Sequence, residues 1–92
     1  MIKSFKSADA QRLFNDETVP RFANIRQSAR RKLLMLHAAK RLIDLTVPPG
    51  NRLHPLEGDR AGQHSIGIND QWRVCFVWKE GDAHDVEIVD HH

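Results

Sequence analysis

The chain has 92 residues, a net charge of +2 and one cysteine, Cys75. A domain of this length has a modest core, which excludes a deep, enclosed substrate pocket and favours an open groove that a polymer can enter. The single cysteine excludes an internal disulfide, and no apolar run reaches the length of a signal peptide or a membrane span. We therefore expect one soluble domain that works in the reducing cytoplasm.

The first half of the chain predicts a short strand followed by helices. Apolar residues near both ends of residues 2–6 indicate the strand, and Ser7 is a suitable N-cap for a helix over residues 8–15. Pro20 suits the start of a second helix. Along this helix apolar residues recur every three, four or seven positions and form one stripe, which comprises Phe22, Ile25, Ala29, Leu33, Leu36 and Ile43.

The second half changes to the period of a β-sheet. Helical structure is expected to break near Lys40 or Asp44 and must stop by Pro48-Pro49-Gly50. Short extended segments separated by turns follow, at residues 53–56, 63–68, 72–78 and 84–89. A meander of this kind is antiparallel, and helices packed on one of its faces give an α+β domain with a small, mainly antiparallel sheet.

The segment 72–78 places its side chains alternately on two faces. Trp72, Val74, Phe76 and Trp78 share one face, whereas Arg73, Cys75 and Val77 share the other. A lone cysteine in a strand is most often a small buried apolar residue. The alternation therefore predicts one face for the core and a second face that carries Arg73.

Positive charge is concentrated in the first part of the chain. Residues 1–60 hold twelve Lys and Arg against six Asp and Glu, and residues 61–92 hold two against six. Residues 21–41 carry seven basic residues and no acidic one. Arg26, Arg30 and Arg31 lie off the apolar stripe, so this segment can meet RNA phosphates or an acidic protein partner, or remain a solvated helix face.

Six histidines give the chain groups that exchange protons near neutral pH. Cleavage of RNA without a metal needs one group that takes the proton of a 2′-OH, a second that protonates the leaving 5′-oxygen, and a cation at the phosphorane. His54, His92 and Arg73 can fill these roles if the sheet brings them together. Asp90 is positioned in the sequence to orient a histidine or to take part in proton transfer.

Four stretches of the sequence resemble one family of proteins. They are residues 1–6, the run Arg52–Ile66 with its Leu53-His54-Pro55-Leu56 and Gly58-Asp59-Arg60 segments, the run Asn69–Phe76 with Trp72-Arg73-Val74, and the ending Val86–His92. Together they are similar to HigB-type toxins of the RelE superfamily, which belong to type II toxin–antitoxin systems. The similarity extends over the whole chain.

The resemblance implies a RelE-like fold and an endoribonuclease that cleaves mRNA in the ribosomal A site without a metal or other cofactor. It implies the catalytic positions His54, Asp90, His91 and His92, to which the residue chemistry adds Arg73. We expect Arg60, Asn69 and Gln71 to bind RNA together with Arg26, Arg30 and Arg31. Expected partners are a HigA-type antitoxin, the small ribosomal subunit with its 16S rRNA, and mRNA. The toxin–antitoxin complex is expected to bind operator DNA through the antitoxin.

Two positions depart from the family pattern. His91 stands where the family usually has tyrosine, and this chain contains no tyrosine at all. Glu57 occupies a position where lysine is common, and a carboxylate there repels the RNA backbone. A histidine can still stack on a base or orient the RNA. The fold is therefore implied more firmly than the identity of the acid and the base.

Two other functions are compatible with parts of the sequence. ParE-like toxins of the same superfamily inhibit DNA gyrase by protein–protein binding and lack acid–base residues, whereas this chain has His54 and Asp90-His91-His92. A metal site built from these four residues is the second alternative, since histidine and carboxylate bind zinc well. Adjacent histidines point to opposite sides of an extended chain, however, so both rarely reach one ion.

Overall fold

A computed structural model describes residues 1–90. It contains helix α1 (Ala8–Phe14), helix α2 (Arg26–Ala38) and the strands β1 (His54–Pro55), β2 (His64–Gly67), β3 (Trp72–Lys79) and β4 (Asp82–Asp90). Short 3-10 turns connect them at Pro20–Ile25, Leu42–Thr46, Pro49–Asn51 and Gly58–Arg60. None of the helices in this part of the chain is both long enough and apolar enough to span a bilayer.

The four strands form one antiparallel sheet in the order β1-β2-β3-β4. The segment predicted as a first strand runs parallel to β4 and pairs with it at two isolated bridges, Ile2 with Ala83 and Phe5 with Val86. The sheet is thus mainly antiparallel, and both helices pack on one of its faces. The predicted α+β class is confirmed.

Helix α1 begins as the sequence predicts. The Ser7 side chain accepts a hydrogen bond from the backbone N–H of Ala10 at 3.3 Å, which satisfies one of the unpaired donors of the first turn. The predicted second helix is divided, because residues 20–25 form a 3-10 turn before α2 begins at Arg26. Phe22 interrupts this turn with non-helical angles (φ −106°, ψ 16°), and Ile25 is also non-helical (φ −123°, ψ 11°).

The apolar stripe forms the helix side of the core, with one error at its end. Its first five members are buried: Phe22, Ile25, Ala29, Leu33 and Leu36. The prediction for Ile43 was wrong, since this residue is 62% exposed. Helix α2 ends at Ala38 and the chain turns into an extended conformation at Ala39, so the helical period does not reach Ile43, and Leu45 is buried instead.

The alternation predicted for β3 is observed. Val74 and Phe76 are fully buried on the helix side, and Trp72 and Trp78 pack against the same core. The pairing with β4 shifts between Cys75 and Val77, and Asp85 in the bulged strand has a left-handed conformation with φ 53°. The face opposite the helices, called the open face below, carries Arg73, Cys75 and Val77.

A buried asparagine joins the loop before β1 to helix α2. The Asn51 side chain is fully buried; its Nδ2 donates to the Leu45 carbonyl at 3.1 Å, and its Oδ1 accepts from Lys32 Nζ at 2.5 Å. Burial, and then the charge of the neighbouring Arg31, lower the pKa of Lys32. The backbone of this loop in turn packs against Gly67 at the end of β2. Asn51 therefore fixes the loop that leads into β1.

We expect Asn51→Ala to lower the free energy of unfolding by about 1–3 kcal/mol, because it leaves the buried Leu45 carbonyl and the Lys32 ammonium without their partner. Asn24→Ala is the matched control, since Asn24 is exposed in the Pro20–Ile25 turn and its loss should change stability by less than about 0.5 kcal/mol. Urea denaturation followed by circular dichroism measures both. Equal stability of the two variants would contradict a structural role for Asn51.

Candidate active site

The strand register brings a row of polar side chains together on the open face. His54 in β1 lies opposite Ser65 in β2, Ser65 lies opposite Cys75 in β3, and Cys75 lies opposite Glu87 in β4. Directly opposed residues of antiparallel strands project from the same face of a sheet. Arg73 precedes Cys75 by two positions and therefore shares this face.

His54 is exposed, and one of its ring nitrogens is already engaged. Its Nδ1 lies 2.6 Å from the backbone oxygen of Pro55. A carbonyl oxygen can only accept a hydrogen bond, so Nδ1 carries the proton in this contact. In the neutral ring Nε2 then keeps its lone pair, which is the state that a general base needs.

A buried hydroxyl links Arg73 to the β1–β2 pair. Arg73 donates from one terminal nitrogen to Ser65 Oγ at 3.2 Å, and Ser65 is fully buried. This hydrogen bond holds the Arg73 guanidinium at β2. Because Ser65 stands opposite His54, β2 is the strand next to the one that carries the imidazole. Of the predicted catalytic residues within 1–90, His54 and Arg73 share this face.

A small cavity adjoins Arg73 at the end of β2 and β3. Its volume is about 180 Å³, and it is lined by Gly50, Arg52, Gly67, Ile68, Asn69, Asp70 and Arg73. A cavity of roughly 150 Å³ accommodates a benzene ring, so this one has room for a single small ring or a phosphate group. Two guanidinium groups and one carboxylate give it polar walls.

Two further groups of the open face are not available for chemistry. Cys75 is only 2% exposed, and burial raises the pKa of its thiol, so the nucleophilic thiolate is disfavoured. Arg60, a predicted RNA ligand, donates to Glu87 at 2.5 Å and to Gln63 at 3.2 Å. The hydrogen bond with Glu87 raises the pKa of Arg60. In this structure Arg60 stabilises the sheet.

Asp90 stands on the other side of the sheet. The register places it opposite Trp72, whose ring packs edge-on against Phe22 on the helix side at 5.5 Å between centroids. Its carboxylate accepts a hydrogen bond from Gln71 Nε2 at 3.2 Å. Asn69 shapes the turn before β3, since its Oδ1 accepts from the backbone N–H groups of Gln71 and Trp72, each at 2.8 Å. The predicted residues Asn69 and Gln71 therefore support the β2–β3 turn and Asp90.

The remaining predicted catalytic residues, His91 and His92, lie outside the described residues. Within residues 1–90 no group of three or more His, Cys, Asp or Glu side chains is arranged to hold a metal ion. The metal site considered from the sequence included His91 and His92, so its geometry is not described.

The predicted basic residues of α2 differ in their surroundings. Arg26 donates to the carbonyls of Asp16 and Glu17 and to the Asp16 carboxylate, the last at 2.6 Å. Arg30 donates to the carbonyls of Leu13 and Phe14 at 3.0 and 3.3 Å, at the end of α1, where the Leu13 carbonyl also accepts from the backbone N–H of Asp16. Arg31 is exposed. Two of the three residues thus cap α1 and the loop that follows it.

Two residues of the site were not singled out from the sequence. Ser65 accepts a hydrogen bond from Arg73 and so positions it. The feature of the sequence that could have indicated Ser65 is a polar residue in a short, otherwise apolar strand. Arg52 lines the cavity and adopts a left-handed conformation with φ 49° directly after the Pro49–Asn51 turn. Irregular backbone has no periodicity, so no pattern in the sequence indicated where Arg52 would point.

Comparisons with known proteins agree with this architecture. The family model of the RelE-like toxin of the type II toxin–antitoxin system HigB matches residues 3–92. Over 85 residues, 90% of each chain, the protein is 38% identical to Toxin HigB-1 of Vibrio cholerae serotype O1. Over 41 residues, 45% of each chain, it is 44% identical to Endoribonuclease HigB of Proteus vulgaris. The crystal structure of YafQ from E. coli strain BL21(DE3) has a TM-score of 0.63 at 12% identity, over 99% of this chain and 94% of YafQ, which confirms the expected RelE-like fold.

The contacts of α2 predict that its arginines contribute unequally to stability. Arg30→Gln should lower the free energy of unfolding by about 1–2 kcal/mol, because two carbonyls at the end of α1 lose a charged donor. Arg31→Gln is the control one residue away and should stay within about 0.5 kcal/mol of the parent. Chemical denaturation of both variants measures the difference. If Arg31→Gln were the more destabilising change, the assignment of Arg30 as a cap of α1 would be wrong.

Proposed function

The chain belongs to the HigB-like family of RelE-like toxins from type II toxin–antitoxin systems, and we propose that it is a ribosome-dependent endoribonuclease that cleaves mRNA in the ribosomal A site. The observation that supports this proposal is that exposed His54 stands opposite Ser65 in the sheet, while the Ser65 hydroxyl accepts a hydrogen bond from Arg73. A histidine and an arginine thus share the open face, on β1 and β3, with β2 between them. The relative named Endoribonuclease HigB supports the same activity.

The proposed reaction is an attack of a 2′-oxygen on the adjacent phosphorus. His54 Nε2 removes the proton from the 2′-OH, the new O–P bond forms, and the bond from phosphorus to the 5′-oxygen breaks. The leaving 5′-oxygen takes a proton from the general acid, which we assign to His92. The products are a 2′,3′-cyclic phosphate and a 5′-hydroxyl. No electron transfer takes place, and the proton balance closes without a metal ion.

Arg73 supplies the positive charge for this reaction. A guanidinium fixed by Ser65 can donate to the phosphorane oxygens in a paired geometry, and a fixed donor needs little reorganisation when the charge develops. Asp90 lies at the end of β4 on the helix side of the sheet, where Gln71 donates a hydrogen bond to its carboxylate. We assign it to orienting the catalytic residues that follow it in sequence. His91, in the position where the family usually has tyrosine, is assigned to stacking on or orienting the RNA.

The proposed partners follow from this activity and from the family. The chain acts in the cytoplasm on ribosomes, where the small subunit and its 16S rRNA present the mRNA. A HigA-type antitoxin neutralises it, and the complex of the two binds operator DNA through the antitoxin. Asn69, beside the cavity, is a proposed RNA ligand, together with Arg60 and Gln71. Arg26, Arg30 and Arg31 of α2 add positive charge to a separate surface, which can meet RNA phosphates or the antitoxin.

The activity is tested with purified protein and translating ribosomes, by mapping the 5′ ends of the mRNA fragments. We expect cuts within the A-site codon that require the ribosome. Supercoiling by DNA gyrase is measured in parallel, because inhibition of gyrase with intact mRNA would establish the ParE-like function instead. Cleavage lost in a chelator and restored by zinc alone, after the ribosomes have recovered their magnesium, would establish a metal enzyme.

Arg73→Ala should slow cleavage roughly tenfold to a thousandfold, the range found when one charge-stabilising donor is removed. Arg73→Lys should recover only part of the rate, since an ammonium cannot make the paired contact. Lys79→Ala, at the far exposed end of the same strand, is the control and should cleave at the parental rate. Single-turnover rates on ribosome-bound mRNA measure all three. A normal rate for Arg73→Ala would show that Arg73 is only a strand residue.

His54→Ala and His92→Ala should each lower the rate by about 10²–10⁴-fold, because each removes one partner of the proton transfer. His84→Ala is the control, because the proposed mechanism gives this histidine no role. His84 lies in β4 opposite Val77. Single-turnover rates on ribosome-bound mRNA measure all three variants. Normal cleavage by His54→Ala or by His92→Ala would remove that residue from the mechanism.

A further inference from the structure

The outer surface of α2 forms a second groove, distant from His54 and Arg73. It is shallow, encloses about 560 Å³, and is lined by Asp16, Arg26, Gln27, Arg30, Arg31 and Leu34. Helix α2 buries Ala29, Leu33 and Leu36 toward the sheet, so the groove lies on the side that faces away from it. We call it the α2 groove. The sheet and α2 separate it from the open face.

The α2 groove combines positive charge with an exposed apolar side chain. Three arginines stand against the single carboxylate of Asp16. Leu34 is 47% exposed although it lies in the middle of a helix whose other leucines are fully buried. The side chains of Gln27 and Arg31 make no hydrogen bond or ion pair with any of the residues 1–90. The α2 groove therefore offers a partner the exposed apolar side chain of Leu34, the guanidinium of Arg31 and an excess of positive charge.

We propose that the α2 groove binds the antitoxin, through an acidic segment that places an apolar side chain on Leu34 and a carboxylate on Arg31. This inference rests on the part of the proposed function that gives the chain an antitoxin. A carboxylate matches the guanidinium of Arg31 in two parallel hydrogen bonds. An apolar side chain seated on Leu34 is shielded from water by the rim of the groove, the arrangement in which a contact contributes most to affinity.

The contacts within the groove favour a protein over RNA as the occupant. Arg26 and Arg30 direct their donors at carbonyls of α1 and of the following loop, so they attract anions through their charge but have few hydrogen bonds left for phosphates. Leu34 has no use in a phosphate contact, whereas an amphipathic peptide segment uses both its apolar and its charged side.

The test uses the full chain and the antitoxin encoded beside its gene, both purified, in calorimetric titrations. Arg31→Glu reverses the unengaged charge, and Leu34→Ala removes the apolar contact while keeping a residue that favours helix. Each should weaken the binding of the antitoxin about tenfold or more. Arg31→Glu should also flatten the dependence of the affinity on salt, because exposed charges are screened. Lys79→Glu, with the same change of charge at the end of β3, should bind like the parent.

Ribosome binding and mRNA cleavage by the same variants complete the experiment, with urea denaturation to confirm that each variant is folded. The proposal predicts normal cleavage by Leu34→Ala, since that residue lies far from the reacting groups. If Arg31→Glu weakens ribosome binding and leaves the antitoxin affinity unchanged, the groove is an RNA surface and the proposal is overturned. If the antitoxin binds both variants as tightly as it binds the parent, the α2 groove is not its binding site, although the antitoxin remains the partner. If the parent itself fails to bind the antitoxin, the proposed partner is overturned as well.

Discussion

The packing of the α2 stripe on one face of β3 is the constraint on which the rest of the structure depends. Leu33, Leu36, Val74 and Phe76 are all fully buried, and burying an apolar side chain of this size contributes about 1.5–3 kcal/mol. Because side chains alternate along a strand, this burial decides which residues can project from the other face. Arg73 lies between Trp72 and Val74 and has no other direction available.

The same packing explains why the polar residues are divided between two surfaces. Ser65 and Glu87 are drawn to the open face by their register with Cys75, whereas Asp90 is paired with Trp72 and stands at the edge of the helix side. Because side chains alternate between the two faces along a strand, a shift of one residue in register would exchange these two sets of polar residues. A slip of one residue would break the hydrogen bond from Arg73 to Ser65, since it needs both side chains on one face.

Periodicity predicted most of the fold, and it failed where the structure depends on distant partners. The burial of five apolar residues along residues 22–36 and the alternation of β3 follow directly from local spacing. The end of α2 was predicted near Lys40 or Asp44, but the helix ends at Ala38, which no proline or glycine marks, and Ile43 was therefore assigned to the core in error. The bulge at Asp85 and the pairing of Arg60 with Glu87, 27 positions away, depend on the finished sheet.

The candidate site shows the same limit. The sequence indicated His54 and Arg73 as chemical groups, and the register adds that both share the open face, with Ser65 on the strand between them. Charge alone gave no way to separate Arg30 from Arg31, because their difference lies in contacts to α1, 16 and 17 positions earlier. An arginine run on a helix therefore predicts a positive surface, but the hydrogen bonds decide which members remain available for a partner.

The size of the cavity bears on why the proposed reaction would need the ribosome. About 180 Å³ holds one ring or one phosphate, which is too little to fix a flexible RNA strand on both sides of the bond to be cut. Holding two reacting groups in line can contribute about 7–11 kcal/mol to the lowering of a barrier. A chain of this length has no room for the additional walls that such alignment requires. Under the proposed function, the A site supplies the alignment by holding the codon extended, and the chain contributes the base, the acid and the cation.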